Sequence, residues 1–259
     1  MNLGLKSRSA LVCAASAGLG RACALALAQE GVEVTITGRN QKRLEATAQE
    51  LRDLTGAKIS TAVGDITSVE GRAAALSACP SPDILVNNAG GPPPGDFRTF
   101  SDADWHAALN ANLLTPIALI KATIDGMISR KFGRIVNITS GSVKSPLGNL
   151  ALSNTARTGL TGFVAGLSRQ VAEYNVTINN LLPGPFDTDR LRKTMEDAAR
   201  DNDCPVEEMV RVRAEASPAK RIGRPEEFGA ACAFLCSAQA GFIVGQNILL
   251  DGGAFNSTM

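Results

Sequence analysis

The chain has one histidine, one tyrosine and one tryptophan in 259 residues, and each scarcity narrows what it can do. A single histidine argues against a zinc centre. The six cysteines (13, 23, 79, 204, 232 and 236) contain no CxxC pair; Cys232 and Cys236 share a helical face without the further ligands a tetrahedral site needs. Scattered thiols with no disulfide framework fit a reducing, cytoplasmic compartment. Excess charge is also lacking. A formal net charge of +1 gives no global field to recruit nucleic acid or an acidic membrane, and no basic stripe marks a nucleic-acid reader. No apolar run is expected to reach membrane-spanning length. Lys6 and Arg8 precede an apolar stretch as in a signal peptide, but Gly18 and Gly20 interrupt it and Arg21 follows at once, so it reads as mature protein. With no repeat, linker or low-complexity tract, residues 1–259 read as a single domain. The 44% hydrophobic content supplies its core.

What is present is organised around Ser9 to Ala22, SALVCAASAGLGRA. An apolar run at Ala10–Cys13 meets a turn of small residues, and Gly18, Leu19 and Gly20 open an alanine-rich helical pattern. Strand, tight turn and helix in that order bring unpaired N–H groups and a positive dipole end to a pyrophosphate. Further strands are expected at Val32–Thr37, Lys58–Val63, Asp83–Val86, Arg134–Thr139, Val176–Leu182 and Asn247–Leu250. Between them, Asn40 caps a helix that ends before Gly56, and another covers Val69–Ala78. Ser101 with Asp104 makes a capping box for one long helix to about Arg130. Helices also fit Leu150–Glu173, Pro205–Ala216 and Pro225–Ser237.

Apolar strands alternating with helices imply an α/β fold, a doubly wound, Rossmann-like parallel sheet of about seven strands. Ligands bind such sheets at the carboxyl ends of the strands. The small or polar residues after each strand therefore gather on one edge: Ala14–Gly20, Gly38-Arg39, Asp65, Asn88–Gly90, Ser140–Ser142 and Pro183-Gly184. That convergence points to a dinucleotide.

With these residues in view, the chain resembles the short-chain dehydrogenase/reductase family over essentially its whole length. The matching pieces are CAASAGLG, Asp65, NNAG at 87–90, Asn112 seven residues after Trp105, and GRIVNITS at 133–140. PGPFDT at 183–188, RIGRPEE at 221–227 and DGG at 251–253 match as well. The resemblance implies a seven-stranded sheet, a nicotinamide cofactor, a small carbonyl or alcohol substrate, and a homodimer or homotetramer joined through long helices. It places Ser16, Gly18, Leu19, Gly20, Asp65, Ile66, Asn88, Gly90, Pro183, Gly184 and Thr188 against the cofactor. Asp65 alternatively caps the helix near Thr67, Asn88–Gly90 alternatively form a turn that needs glycine, and Pro183–Thr188 alternatively are a proline-shaped strand end.

Cofactor preference is read from Arg39. An NAD site places an acid at the end of the second strand for the ribose 2′-OH, whereas a basic residue accommodates a 2′-phosphate. Gly38 takes the acid's place and Arg39 follows, so NADP(H) is expected over NAD(H). The alternative makes Arg39 a solvated residue at the start of a helix.

Two departures from the family pattern matter. Cys13-Ala14 replaces the usual Thr-Gly of the phosphate turn. Ser140 matches the active-site serine, but thirteen residues on stands Ser153 where tyrosine is usual, and four further on Arg157 replaces lysine. Tyr174 is too distant along the helix to substitute. A phenol titrates near pH 10 and can be tuned downward, whereas a serine hydroxyl has no comparable acidity. The serine oxygen also stops about 4 Å short of a tyrosine's, roughly a water's width. By the resemblance, Ser140 is expected to polarise the substrate oxygen, Arg157 to hold the ribose in place of lysine, and Asn112 to serve in the family's water relay or in a helix-bonding role, with Ser153 helping to position a water. Lys144 is an unassigned alternative donor, and His106 is expected to face solvent.

Residues 190–224 hold nine basic and seven acidic side chains with interspersed apolar ones. They read as a helical lid, spanning about 187–224, over the substrate edge. Its basic residues suit a phosphopantetheine or acyl-carrier partner, while mixed charge more often marks a solvated face. Two functions follow: an NADP(H)-dependent oxidoreductase with a non-standard active site, akin to 3-oxoacyl reductases, or a cofactor-binding pseudoenzyme serving as sensor or assembly partner.

Overall fold

Apolar side chains alternate between the two faces of each strand, and each face meets its own set of helices. The computed structural model describes residues 2–257. Seven strands, β1 (Ser9–Val12), β2 (Glu33–Gly38), β3 (Ile59–Val63), β4 (Ile84–Asn87), β5 (Gly133–Ile138), β6 (Val176–Pro183) and β7 (Asn247–Leu250), form one sheet in the order β3, β2, β1, β4, β5, β6, β7. Every pairing is parallel. The strand order reverses between β1 and β4, creating a switch-point crevice at their carboxyl ends.

One face packs Ala10, Val12, Ile36 and Val86 beneath helices α1 (Gly18–Gln29), α2 (Gln41–Thr55) and α9 (Pro225–Cys236). The other packs Leu11, Leu85 and Ile135 beneath α3 (Val69–Ala78), α5 (Thr115–Ser129) and α6 (Ala151–Val171). A Cβ on Gly229 of α9 would fall 2.3 Å from the Ala22 carbonyl of α1, so those two helices approach to backbone contact. The Asn40 side chain caps α2 through the Arg43 N–H, and Gly56 closes it in the left-handed region, as the sequence predicts.

The helix expected from Ser101 to Arg130 is not uniform. It starts with the capping box as α4 (Asp102–Leu109), widens into a π-helical turn over Asn110–Leu114, then resumes as α5. Widened turns of this kind collect at functional sites. The run Asp102–Ser129 is long and apolar enough to span a membrane by length and composition, one 18-residue stretch of it having mean hydropathy 1.3; this corrects the expectation that no segment reaches that length. Its buried positions Leu119, Ile120 and Met127 pack into the core beside the sheet. The charged segment forms two helices, α7 (Asp189–Asp201) and α8 (Val206–Glu215), packed on one another. Only the second had a boundary in the sequence, at Pro205.

A line of asparagines crosses the sheet, buried at Asn87, Asn137 and Asn180 and half-buried at Asn247. Asn87 Nδ2 donates to Asn137 Oδ1 at 2.8 Å, Asn137 Nδ2 to Asn180 Oδ1 at 2.9 Å, and Asn180 Nδ2 to Asn247 Oδ1 at 2.8 Å. The residues occupy matching register positions on β4, β5, β6 and β7. The amides all point one way, and Asn87 Oδ1, at the acceptor end, is buried without a partner.

Candidate active site

β1 ends at Val12, and the chain turns through residues 13–17 into α1. Ala14 sits in the left-handed region at φ +46°. Two side chains pin it there: its N–H donates to Thr37 Oγ1 at 3.0 Å and its carbonyl accepts from Asn88 Nδ2 at 3.2 Å. Asn88 thus ties the end of β4 to the β1 turn. A Cβ on Gly20 would lie 2.5 Å from the Ala14 carbonyl and 2.9 Å from Asn88 Nδ2, so only glycine fits. The residue preceding α1, Ala17, offers no side-chain cap, and no acid stands in the first turn. The leading N–H groups and the positive helix end are thereby left for an anion. A Cβ on Gly18 would lie 3.6 Å from Thr188 Cγ2, which places Thr188 beside this turn. Leu19 packs against the core. Burial pushes the neighbouring Cys13 thiol up to about 12, against the lowering effect of the Asn88 N–H.

A cleft of about 450 Å³ opens along the carboxyl edge. It brings together Ser16, Arg39, Asp65, Ile66, Gly90 and Asn112 of the expected site residues. The remaining ones (Gly18, Leu19, Gly20, Asn88, Ser140, Ser153, Arg157, Pro183, Gly184 and Thr188) lie outside its walls. A Cβ on Gly38 would come within 3.2 Å of Leu44 Cδ1 and of Ser16 Cβ, so an acidic side chain has little room at the position where an NAD site needs one. Arg39 is exposed and makes no ion pair among the described residues. Asp65 Oδ1 accepts from the Thr67 N–H and hydroxyl at 2.9 and 2.8 Å; that N–H contributes most to holding its carboxyl below the usual range, with Arg39 adding attraction. Ser68, not Asp65, caps α3.

At the other end, Ser140 accepts the Ser142 N–H at 3.1 Å and starts a short 3₁₀ turn. A Cβ on Gly141 would lie 3.4 Å from the Pro183 carbonyl, and the Gly184 N–H is held by the Leu250 carbonyl at 2.8 Å. The ends of β5, β6 and β7 therefore close on one another. Ser153 is buried on α6, and its hydroxyl makes no hydrogen bond among the described residues. One turn on, Arg157 is 8% exposed. Its Nη1 donates to the Ile138 carbonyl at 2.9 Å and to the Thr139 carbonyl, while its Nε has no partner. Burial pulls this guanidinium down to about 10, and the charge of Arg190 pushes in the same direction. It stays protonated at neutral pH.

Asn112 lies in the π-helical turn, buried, with Nδ2 donating to the Ala108 carbonyl at 3.3 Å. This is the backbone-bonding role the sequence allowed, and the residue also lines the cleft. His106 is exposed on α4, its Nδ1 2.7 Å from the Asp102 carbonyl. Lys144 is exposed, its Nζ 5.6 Å from the Phe255 ring centre. Sequence reasoning missed two contributors. Thr37, which anchors Ala14, carries only the weak signal of a hydroxyl at a strand end. Arg190, which reaches back to the Pro92 carbonyl at 3.2 Å, was indistinguishable from the other basic residues of its charged segment.

Comparison with known proteins places this geometry. Residues 13–254 match the family model described as enoyl-(acyl carrier protein) reductase. The chain is 32% identical over 256 residues to a 3-oxoacyl-[acyl-carrier-protein] reductase of Vibrio harveyi, covering 98% of this chain and 99% of that protein. It is equally 32% identical over 258 residues to an NADPH-dependent reductase of Bacillus subtilis, covering 98% and 100%. Among solved structures, L-sorbose reductase from Gluconobacter frateurii, complexed with NADPH and L-sorbose, superposes with a TM-score of 0.94 at 27% identity, over 99% of this chain and 100% of that one. With a seven-stranded parallel sheet, a glycine turn at its switch point and relatives matched end to end, the chain belongs to the short-chain dehydrogenase/reductase family of oxidoreductases.

Proposed function

We propose that the chain is an NADP(H)-dependent oxidoreductase that transfers a hydride between the nicotinamide and a carbonyl or alcohol substrate, through an active site lacking the usual tyrosine and lysine. The observation that carries the cofactor preference is Gly38-Arg39: little room for an acid, and on the cleft wall a guanidinium with no ion pair among the described residues. The cradle fits the group. Gly20 permits close backbone approach, and α1 presents uncapped N–H groups to a diphosphate. The dinucleotide, when bound, supplies the hydride. The NADPH bound by the sorbose reductase and the cofactor in the name of the Bacillus relative support the same assignment.

On the protein side, the Ser140 hydroxyl keeps its proton free to donate to a substrate oxygen while its oxygen caps the Ser142 N–H. Ser153, with an uncommitted hydroxyl, helps hold a water at that oxygen, and Arg157 supplies fixed positive charge toward the ribose and the reacting centre. Helices α7 and α8 serve as a lid on the substrate side. The protein works as a cytoplasmic homodimer or homotetramer on a 3-oxoacyl-like or related small carbonyl, without nucleic acid or membrane as partner. Light scattering of the purified protein reads the oligomer directly.

A second reading is a cofactor-binding pseudoenzyme. It is favoured by one observation: Arg157 commits its Nη1 to the carbonyls of Ile138 and Thr139. Calorimetric titration with NADPH and with NADH tests the shared cofactor claim, and binding of neither overturns both readings. Steady-state turnover of wild type against the double variant Ser153→Tyr, Arg157→Lys separates them. Activity in wild type supports the enzyme, and activity only in the double variant supports the pseudoenzyme.

A further inference from the structure

Two buried arginines of this chain have very different surroundings. Arg134 donates from Nε to the Ser237 carbonyl at 3.0 Å, from Nη1 to the carbonyls of Gly133 and Asn175, and from Nη2 to Asn175 Oδ1 at 3.1 Å. Every nitrogen is satisfied, and the residue is a strut. Arg157 is nearly as buried, but both its hydrogen bonds come from one nitrogen, and its Nε is orphaned. No carboxylate pairs with it among the described residues. A desolvated guanidinium with unused donors is a costly arrangement for structure alone.

Arg190, at the start of α7, reaches the edge of the cleft. It lies flat on Gly91, where a Cβ would meet its Nη1 at 2.1 Å, and its Nη2 holds the Pro92 carbonyl. Pro92 lines the cleft together with Leu152, the residue before Ser153. The acids flanking Arg190 in sequence are engaged elsewhere: Asp187 with Arg192 and Asp189 with Arg43. The field of Arg190 is felt at Arg157. Arg157 thus stands one turn along α6 from Ser153 and bonds the carbonyls just before Ser140, Arg190 reaches the cleft wall at Pro92, and neither has a carboxylate partner among the described residues.

We propose that Arg157 and Arg190 form a carboxylate-binding subsite, so that the substrate is an oxo acid or hydroxy acid held by its carboxylate with its carbonyl or hydroxyl carbon toward Ser140. The planar guanidinium fork matches a carboxylate, and the charge-assisted bonds gain strength where water is excluded. The subsite rests on the oxidoreductase reading above. The other anions of the site have their own partners in that reading: the diphosphate the start of α1, the 2′-phosphate Arg39.

The test titrates NADPH-loaded protein, followed by cofactor fluorescence, with acetoacetate and 4-oxopentanoate against their amides, acetoacetamide and 4-oxopentanamide. A lost charge-assisted hydrogen bond corresponds to about tenfold in affinity or more. Wild type is expected to bind at least one acid about tenfold more tightly than its amide. Arg190→Gln abolishes that difference while leaving NADPH affinity within roughly threefold of wild type. Arg190 is exposed, so this variant does not depend on the packing of Arg157. Arg157→Lys, which keeps the charge and loses the fork, is expected to retain part of the difference. Equal binding of acid and amide, or no binding of either, overturns the subsite while leaving the cofactor reading standing. Loss of NADPH affinity in Arg190→Gln overturns it too, by assigning that cation to the diphosphate. Failure of wild type to bind NADPH sinks the oxidoreductase reading and the subsite with it.

Discussion

Replacing Ala14 with glycine is expected to stabilise the protein. Ala14 occupies the left-handed region at φ +46°, where an L-residue with a Cβ is strained by roughly 1–2 kcal/mol relative to glycine. The turn cannot relax cheaply, because Thr37 and Asn88 hold the Ala14 N–H and carbonyl from opposite sides. Glycine relieves the strain but adds freedom to the unfolded chain, which costs about 0.4–1 kcal/mol. The net gain is about 0.5–1 kcal/mol, or an increase of about 1–4 °C in Tm for a chain of this size. Differential scanning calorimetry without cofactor reads this directly. Ala14→Val supplies the opposite sign, since a β-branched residue tolerates this region less well. A lower Tm for Ala14→Gly would refute the argument, because the strain would then not be stored where the backbone places it.

Arg39→Ala should lower NADPH affinity by about tenfold and leave NADH affinity unchanged, as measured by calorimetry; equal losses for both cofactors would remove the 2′-phosphate assignment. Asn137→Ala should destabilise by about 2–4 kcal/mol in urea denaturation, since it leaves Asn87 Nδ2 and Asn180 Oδ1 without partners inside the sheet. Glu227 receives two hydrogen bonds from Arg221 and one from the Arg224 N–H, which hold its carboxyl down to about 2 from an ordinary 4.5. Its stabilisation is therefore complete above about pH 4.5 and is lost as pH falls toward 2, and Glu227→Gln should flatten that acid limb of a Tm-against-pH curve. Cys204 is half-buried while the other five cysteines are buried. Native protein should accordingly show one rapidly reacting thiol with Ellman's reagent, and denatured protein six.

The strands and most helices were legible because their signals are local. Ala10 and Val12 face one helix layer and Leu11 the other, and caps such as Asn40 and Ser101 act within four residues. The π-helical turn at Asn110–Leu114 was not legible, since its residues have the propensities of an ordinary helix and only the packing of the long run allows a widened turn. The site divided in the same way. The glycine turn and Arg39 could be read from position along the chain. Which groups Arg157 meets depends on its rotamer, and the carbonyls that hold its Nη1 lie at the end of β5, nearly twenty residues away in sequence. Arg190 was hidden for a related reason: what distinguishes it from Arg192 is that the acid beside it is already taken.

The asparagine line bears on how the sheet is assembled. β4 and β7 are separated by most of the chain, and each parallel neighbour must be found across a long crossover, a search in which near-miss alignments are abundant. Apolar strands judge such alignments poorly, because one isoleucine fits almost as well as the next. The four amides discriminate. A strand shifted by one position turns its asparagine to the opposite layer, among leucine and valine side chains, and strands both neighbours. The line thus works as a proofreader: it adds modestly to the finished sheet and penalises nearly every wrong one. Because its amides all point the same way, no rung can be reversed alone. Errors at one strand are therefore felt at all four, just below the edge where the ends of β4, β5 and β6 must line up to build the site.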